Sequence, residues 1–469
     1  MVHAQPSPLS GASAPSGSAS SGASEAGRDA RRAAFETLRR VVRHGETLDA
    51  AMAAAPRWSA LAARDKAFAR HLVATTLRRL GQIDDALAGC LDKPLKAKLN
   101  AVHDLLRLGA AQVLFMEVAD HAAVGETVGL AAGVRVGPHK GLLNAVLRRL
   151  TREKEAILAR QAEAPGGLAA LNTPGWLYRR WCAAYGAETA AAIAAQHLRE
   201  PPLDLRAKAD PADPADPATW AERLGARHLP LDTLRLDAGS GEVRRLPGYD
   251  AGTWWVQDAA AGLPARLLGD VAGREVVDLC AAPGGKTAYL AAAGARVVAV
   301  DRAAERLKAL SANLARLSLS ATTVVAEVQD WTPPAPPDLI LLDAPCTATG
   351  TLRRHPDIAH LKRESDVAAM ADLQAELLHA AAAMLAPGGT LVYAVCSLEP
   401  EEGPNQVDRL LHGAPDLAPD LARVPVTAAE VPGFEDAVTP AGDLRTLPCH
   451  WADLGGMDGF YAARLRKAA

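Results

Sequence analysis

Two cysteines stand where they could act on one substrate. Asp343-Ala344-Pro345-Cys346 follows the apolar run Leu339-Ile340-Leu341-Leu342, and Cys396-Ser397 follows Leu391-Val392-Tyr393-Ala394-Val395. If both runs are neighbouring strands of one parallel sheet, both thiols leave it at the edge where such sheets bind ligands. A single cysteine is most often a small buried hydrophobe. Two at matching strand ends, one beside an aspartate and both near Lys286, point instead to thiol chemistry, because a nearby cation favours the nucleophilic thiolate. Such a pair suits a carbon that is a poor nucleophile, the C5 of a pyrimidine. A thiolate adding to C6 makes an enamine that can take a methyl group at C5. An acid near N3, a position open to Asp343, stabilises the adduct. The C5 proton must then leave and the thiol be expelled, which a second cysteine can assist. The residues by themselves do not say which thiol attacks.

The methyl donor has a candidate site. The run Val276–Leu279 ends in Asp278-Leu279-Cys280-Ala281-Ala282-Pro283-Gly284-Gly285-Lys286-Thr287. Paired glycines after a strand let a ligand approach the backbone closely. Asp301, 21 residues after Cys280, ends the next apolar run, where an acidic side chain can hold a ribose diol. The dinucleotide pattern G-x-G-x-x-G is absent and Pro283 interrupts the loop, which favours a nucleoside without a pyrophosphate, such as S-adenosylmethionine. Lys286 opposes the dipole of the helix it begins, so it is expected to point into the site. Asp330 is a candidate for the adenine amino group or a plain helix cap. Cys280, within the ligand loop, reads as structural, and Cys90, Cys182 and Cys449 as core residues.

These residues need strands and helices to hold them. Short apolar runs at Val276–Leu279, Val297–Val300, Thr323–Ala326, Leu339–Leu342 and Thr390–Ala394 alternate with amphipathic stretches. This predicts an open, parallel, Rossmann-like α/β domain over 251–469, with both sheet faces covered. Residues 28–160 carry helical stripes (Phe35, Leu38, Val41 and Val42; Phe68–Leu80; Val102–Met116; Gly141–Leu150) without strand alternation, which predicts an all-α bundle. Residues 161–250 read as a small α/β connector, with one or two helices over Trp176–Ala195 and a strand at Leu203–Ala207. The Asp-Pro repeat at 210–217 is a stiff turn. Residues 1–27, rich in Ser, Ala, Gly and Pro with one charge at Glu25, are expected to be disordered and do not read as a secretory signal.

Composition narrows the class. The chain has 469 residues, is 49% hydrophobic and 22% charged, and carries a formal net charge of −3, as globular proteins do. Residues 28–160 hold 23 Lys+Arg against 14 Asp+Glu, a balance of +9, so the remainder, with 28 against 40, stands at −12. A basic third on an acidic remainder suggests a polyanionic partner. Six cysteines without a CxxC pair argue against a zinc site or a disulfide scaffold and suit a reducing cytoplasm. No long apolar run free of charge suggests a membrane span.

The motifs DLCAAPGGKT (278–287), DAPCTATGTLRRHPDI (343–358) and VYAVCS (392–397) together resemble the RNA cytosine-5 methyltransferases, and GMDGFYAARL (456–465) resembles that family's closing strand region. LLRLGAAQVLFM (105–116), DHAAVGETV (120–128) and GLLNAVLRRL (141–150) resemble the NusB-type RNA-binding helical domain. The pairing resembles the bacterial RsmB/Sun type, which methylates cytosine in 16S ribosomal RNA. The resemblance implies that Cys396 is the nucleophile and that Cys346 assists product release. It implies a cofactor site of Cys280, Ala281, Ala282, Pro283, Gly284, Gly285 and Lys286 with Asp301, Asp330 and Asp343. Arg353, Arg354 and His355 are expected at the RNA backbone, since arginine suits phosphate, and Arg148, Arg149 and Arg152 are expected on an RNA-facing surface of the bundle. A cytoplasmic monomer is expected. Val395 stands where the family commonly has Thr, Thr347 where it has Ser, and Gly262 where Gln is frequent.

Two other readings compete. A DNA cytosine-5 methyltransferase would carry its nucleophile in the Pro-Cys motif and lack a second cysteine, against Cys396 and the NusB-like part. An RNA-binding assembly or antitermination factor with a vestigial methyltransferase domain would not need Lys286, Asp343, Cys346 and Cys396 together.

Overall fold

A computed structural model describes residues 19–208, 216–413 and 420–469, with side chains from Gly27 onward. The chain divides into two compact units. The first, drawn from residues up to 44, 49–76 and 86–154, is helical: α1 (Ala19–His44), α2 (Leu48–Ala54), α3 (Ala63–Arg78), α4 (Leu80–Cys90), α5 (Asn100–Phe115), α6 (Asp120–Gly133) and α7 (Lys140–Ala162). Apolar residues at three- and four-residue spacing put Phe35, Leu38 and Val41 of α1 into the core with Leu105 and Leu108 of α5 and Leu143 and Leu147 of α7, as a helical stripe requires. Helix α1 takes in Ala19–Gly27, which composition assigns to disorder, whereas residues 1–18 lie outside the described residues. Part of the positive charge is used internally. The buried Asp104 carboxylate takes Arg43 at 2.7 Å, Arg107 at 3.3 Å and Arg39 at 3.5 Å.

The second unit holds the rest. Helices α8 (Gly167–Asn172), α9 (Gly175–Tyr185) and α10 (Ala187–His197) precede a four-stranded antiparallel sheet. Its strands are β1 (Leu203–Ala207), β2 (Arg227–Leu229), β3 (Thr233–Leu236) and β4 (Trp254–Val256), in the order β2-β3-β1-β4. Helix α11 (Pro217–Leu224) covers it, with Trp220 against Leu205, Leu234 and Trp254. Most of the Asp-Pro repeat lies outside the described residues; its end, Asp216, caps α11 by accepting from the Thr219 amide at 2.8 Å. The stretch expected as one connector therefore contains two structures. Leu177 and Trp181 of α9 and Ile193 of α10 share a core with Leu352 and Leu398, residues of the cysteine-bearing loops.

After α12 (Leu263–Arg266) come β5 (Glu275–Leu279), α13 (Gly285–Ala292), β6 (Arg296–Asp301), α14 (Ala304–Arg316), β7 (Thr322–Val325), β8 (Leu339–Asp343), α15 (Ile358–Leu361), α16 (Glu364–Met384), β9 (Thr390–Val395), α17 (Pro404–His412), β10 (Leu421–Arg423), β11 (Leu444–Arg445) and β12 (Tyr461–Lys467). The sheet runs β10-β12-β9-β8-β5-β6-β7, with β11 paired to β12. Strands β5 to β9 are parallel, while β12 runs antiparallel to β9 and to β10 and β11. The all-parallel expectation is thus corrected to a mixed sheet: the chain returns after α17 and lays β12, seven residues whose apolar positions are interrupted by Arg464 and Arg466, antiparallel beside β9, with the short β10 and β11 on its other side. The inner parallel strands β5, β6, β8 and β9 are mainly apolar between their ends because helices cover both faces, whereas the edge strand β7 is largely exposed. Since β5 neighbours both β6 and β8, the order reverses at β5, the place where such sheets open a ligand crevice.

Candidate active site

The loop from β5 to α13 bends sharply. Cys280 has φ +59° and Gly284 φ +101°, a region L side chains avoid. A Cβ at Gly284 would lie 2.6 Å from Leu310 Cγ, so only glycine fits. Asp301, at the end of β6 and almost wholly buried, accepts hydrogen bonds from the amides of Ala282 at 3.1 Å and Ala303 at 2.9 Å. This carboxylate therefore shapes the loop whatever else it holds. Asp278 is fully buried and accepts from the Thr287 hydroxyl at 2.6 Å, while its Oδ1 has no hydrogen-bond partner. Burial, with Asp343 and Asp301 nearby, pushes its carboxyl up to about 7 against the opposing pull of the Thr287 hydroxyl and Lys286. Sequence reading gave Asp278 no role, although its place at the end of a buried strand could have singled it out. Burial, reinforced by Asp343, Asp301 and Asp278, pushes the Cys280 thiol up to about 12, in keeping with a structural residue.

Lys286, in the first turn of α13, does turn inward. Its ammonium donates to Asp343 Oδ2 at 2.7 Å and stands 4.8 Å from the Phe460 ring centre. Burial, the largest single influence, works against the charge, but Asp343 with Cys396 and Asp278 together outweigh it and the lysine is raised. A charge-assisted bond of this kind fixes both groups at the mouth of β8.

The two cysteines meet. Cys346 Sγ and Cys396 Sγ are 3.4 Å apart, at the ends of the paired strands β8 and β9. Contact with the Cys396 thiol, burial and the Glu402 carboxylate all hold Cys346 well above the usual thiol range. Cys396 acts electrostatically on two cations, Lys286 and Arg354. Cys346 thus faces the other thiol and Glu402, while Cys396 lies within electrostatic reach of Lys286 and Arg354.

The loops that carry them are tied together. Gly350 donates its amide to the Cys396 carbonyl at 3.0 Å, and Gly459 donates to the Gly350 carbonyl at 2.8 Å. Beyond Cys396, the buried Glu399 accepts from Arg180 at 2.6 Å and Trp181 at 3.3 Å, both on α9. Glu402, fully buried, takes hydrogen bonds from residues that follow each cysteine.

Some expected site residues stand elsewhere. Arg353 is not an RNA contact: it is 1% exposed and pairs with Asp258 and with Asp458, the latter at 3.2 Å. Arg354 is held by the same Asp458 at 2.8 Å but keeps a third of its side chain open. His355 is half-buried beside them. Two buried aspartates 200 residues apart claim these cations, a pairing invisible along the chain. Asp330 is exposed in a short 3-10 turn, 328–330, after β7. On α7, Arg148 and Arg152 are exposed, and Arg149 pairs with Glu153 at 3.0 Å.

Known proteins share this plan. The chain is 37% identical over 443 residues to Ribosomal RNA small subunit methyltransferase B of Salmonella paratyphi B, covering 92% of this chain and 97% of that one. The protein of the same name from Cronobacter sakazakii is 36% identical over 443 residues, with the same coverage. The solved structure of PH0851 superposes with a TM-score of 0.71 at 22% identity, over 94% of this chain and 99% of that one, a likeness of fold. The NusB family matches residues 28–152, so the helical unit is a NusB domain. The 16S rRNA methyltransferase RsmB/F family matches residues 265–466. With this match and relatives that run the length of both units, the chain belongs to the RsmB/F methyltransferase family.

Proposed function

We propose that this protein transfers a methyl group from S-adenosylmethionine to C5 of a cytosine in small-subunit ribosomal RNA, through a covalent cysteine adduct at C6. The observation that carries the reading is the 3.4 Å approach of Cys346 and Cys396 beside the Lys286–Asp343 pair. A methyltransferase acting on a nucleophilic nitrogen or oxygen has no use for two thiols on one reacting centre.

The cofactor fits the crevice beside β5. The loop 280–285 and Asp301 offer backbone and carboxylate groups to a nucleoside, and the orphaned Asp278 oxygen is an acceptor in want of a donor. Bound S-adenosylmethionine supplies an electrophilic methyl group. The remaining work belongs to the chain. Cys396, near the positive charge of Lys286 and Arg354, adds to C6 as the thiolate. Asp343, fixed by Lys286, is the acid at the N3 edge: N3 takes a proton from it as the C6–S bond forms, so the adduct is a neutral enamine, and Lys286 offsets the carboxylate left behind. Cys346 assists release: as a thiolate it takes the C5 proton, the C–H electron pair re-forms the C5=C6 bond, and the C6–S bond breaks to free Cys396 as a thiolate. The NusB domain supplies RNA affinity and substrate choice, and the protein acts as a cytoplasmic monomer.

Incubating the protein with methyl-labelled S-adenosylmethionine and unmodified small-subunit RNA, naked and in assembly intermediates, tests the reading. Label in 5-methylcytosine is expected. No 5-methylcytosine on any of these substrates would favour an RNA-binding assembly factor.

A further inference from the structure

We infer that Glu402 is the positioning residue of the two-thiol site: its carboxylate sets the spacing of Cys346 and Cys396 on which release of the methylated base depends. The inference rests on the proposed roles of the two cysteines and goes beyond them.

Each oxygen of Glu402 spans the two loops or braces one. Oε2 accepts from the amide of Thr347, next to Cys346, at 2.8 Å. Oε1 accepts from the hydroxyl of Ser397, next to Cys396, at 2.7 Å, and from the Thr347 hydroxyl. Gln374 of α16 donates one amide group both to Oε2 at 2.9 Å and to the Pro345 carbonyl at 2.8 Å, so it holds the other side of Cys346. Tyr393 of β9 donates its hydroxyl to the Glu402 carbonyl at 2.6 Å, anchoring the residue itself. One side chain thus fixes the peptide flanking Cys346 and the residue flanking Cys396.

The choice of an acid here has a cost that structure alone does not explain. A fully buried carboxylate loses its hydration, and its hydrogen-bonding partners are neutral amides and hydroxyls, not a cation. What a carboxylate offers is capacity: it accepts from several donors at once, and so joins two loops and a helix at one point. Tight positioning matters most where two groups act in turn on adjacent carbons of one ring, because a displacement of about 1 Å can cost on the order of a hundredfold in rate.

The test uses the full chain, S-adenosylmethionine and substrate RNA. Glu402→Ala removes every tie made by the side chain and keeps the Tyr393 bond to the backbone carbonyl. It is expected to bind S-adenosylmethionine with unchanged affinity and to form the adduct. Multiple turnover is expected to fall about a hundredfold, with a protein–RNA complex persisting on a denaturing gel as it does for Cys346→Ala. Glu402→Gln can keep the contacts, with its oxygen towards the two N–H donors and its amide towards the two hydroxyls, which rotate to accept. It should restore turnover to within a few fold of the parent. If Glu402→Ala fails to fold, Thr347→Val with Ser397→Ala leaves the acid in place and removes the hydroxyl ties, and the complex should again accumulate. Three results would overturn the inference. The first is normal turnover in Glu402→Ala or in the double variant. The second is loss of turnover without a persisting complex while Cys346→Ala gives one. The third is Glu402→Gln stalling as Glu402→Ala does. If Cys346→Ala itself gives no complex, the roles of the thiols fail first and the inference falls with them.

Discussion

Cys346 and Cys396 are chemically the same group, and what separates them is their surroundings. Cys346 lies against the other thiol and the Glu402 carboxylate, and Cys396 acts on Lys286 and Arg354. Cys396→Ala should therefore abolish methyl transfer and leave S-adenosylmethionine affinity nearly intact, since no other group can form the C6 bond. Cys346→Ala should allow transfer but stall release, and a covalent protein–RNA complex should persist on a denaturing gel. The opposite pattern would exchange the two roles. Asp301→Ala tests the cofactor side. A charged hydrogen bond to a ribose hydroxyl is worth roughly 1.5–3 kcal/mol, or about a ten- to hundredfold loss of affinity. Because Asp301 also holds the amides of Ala282 and Ala303, Asp301→Asn, which keeps an acceptor, should lose less. Calorimetry with all three proteins separates the contributions, and unchanged affinity in Asp301→Ala would take that residue out of the site.

At the scale of elements, the loop from β5 to α13 carries a stability signature. The carboxyl of Asp278 stands at about 7 in the folded chain against 3.8 in the ordinary range. The folded state thus binds the proton more tightly, and the contribution is fully present below about pH 4. It is lost as the pH rises through 7. Asp278→Asn keeps an acceptor for Thr287 and cannot ionise. Melting temperatures of the cofactor-free proteins should therefore diverge between pH 5 and 8, with the parent losing stability relative to the variant. Parallel curves would remove Asp278 as the source. The second element is the crossing of the cysteine loop with the 456–460 segment. A Cβ on Gly350 would lie 2.0 Å from the Gly459 carbonyl oxygen and 2.9 Å from that of Cys396. Both obstacles are backbone, so Gly350→Ala must push the loops apart. Turnover should fall by tenfold or more while cofactor affinity, set at β5 and β6, holds.

How far the sequence foretells this molecule differs by the range of the interactions involved. Strands β5 to β9 lie within a residue or so of the apolar runs, because the inner strands, covered on both faces, must be mainly apolar and the edge strand β7 keeps a β-branched run. The convergence of the two thiols follows from the pairing of β8 with β9. Legibility ends where long-range polar pairing begins. Arg353 and Arg354 follow a cysteine motif and read as phosphate ligands, yet Asp258 and Asp458 claim them. Glu402 lies six residues after Cys396 in an acidic loop and looks solvated, yet it is among the most buried acids of the chain. Neither fact has a periodicity or a local spacing to betray it. The same holds for the antiparallel strands β10 and β11, three and two residues long.

For the molecule as a whole, the open question is what the basic unit does for the acidic one. Three of the 23 cations over 28–160 are held within the fold, since Asp104, already counted in the balance of +9, takes Arg39, Arg43 and Arg107. What reaches solvent includes Arg148 and Arg152 on α7, with Arg149 between them paired to its own helix neighbour, Glu153. An i,i+4 pair at a surface is worth a few tenths of a kcal/mol, too little to keep Arg149 from a phosphate. If this face binds RNA, each phosphate it neutralises releases counterions, and affinity falls by about 0.7 log units per contact for each tenfold rise in salt. Reversing Arg148, Arg149 and Arg152 to glutamate leaves the apolar side of α7 (Leu143, Val146, Leu147 and Leu150) untouched, so the fold should survive, as circular dichroism and melting would verify. RNA affinity should drop and its salt slope flatten by about two log units, while S-adenosylmethionine affinity stays constant. An unchanged affinity and slope would mean that this face does not touch RNA, and that substrate choice must come from another surface.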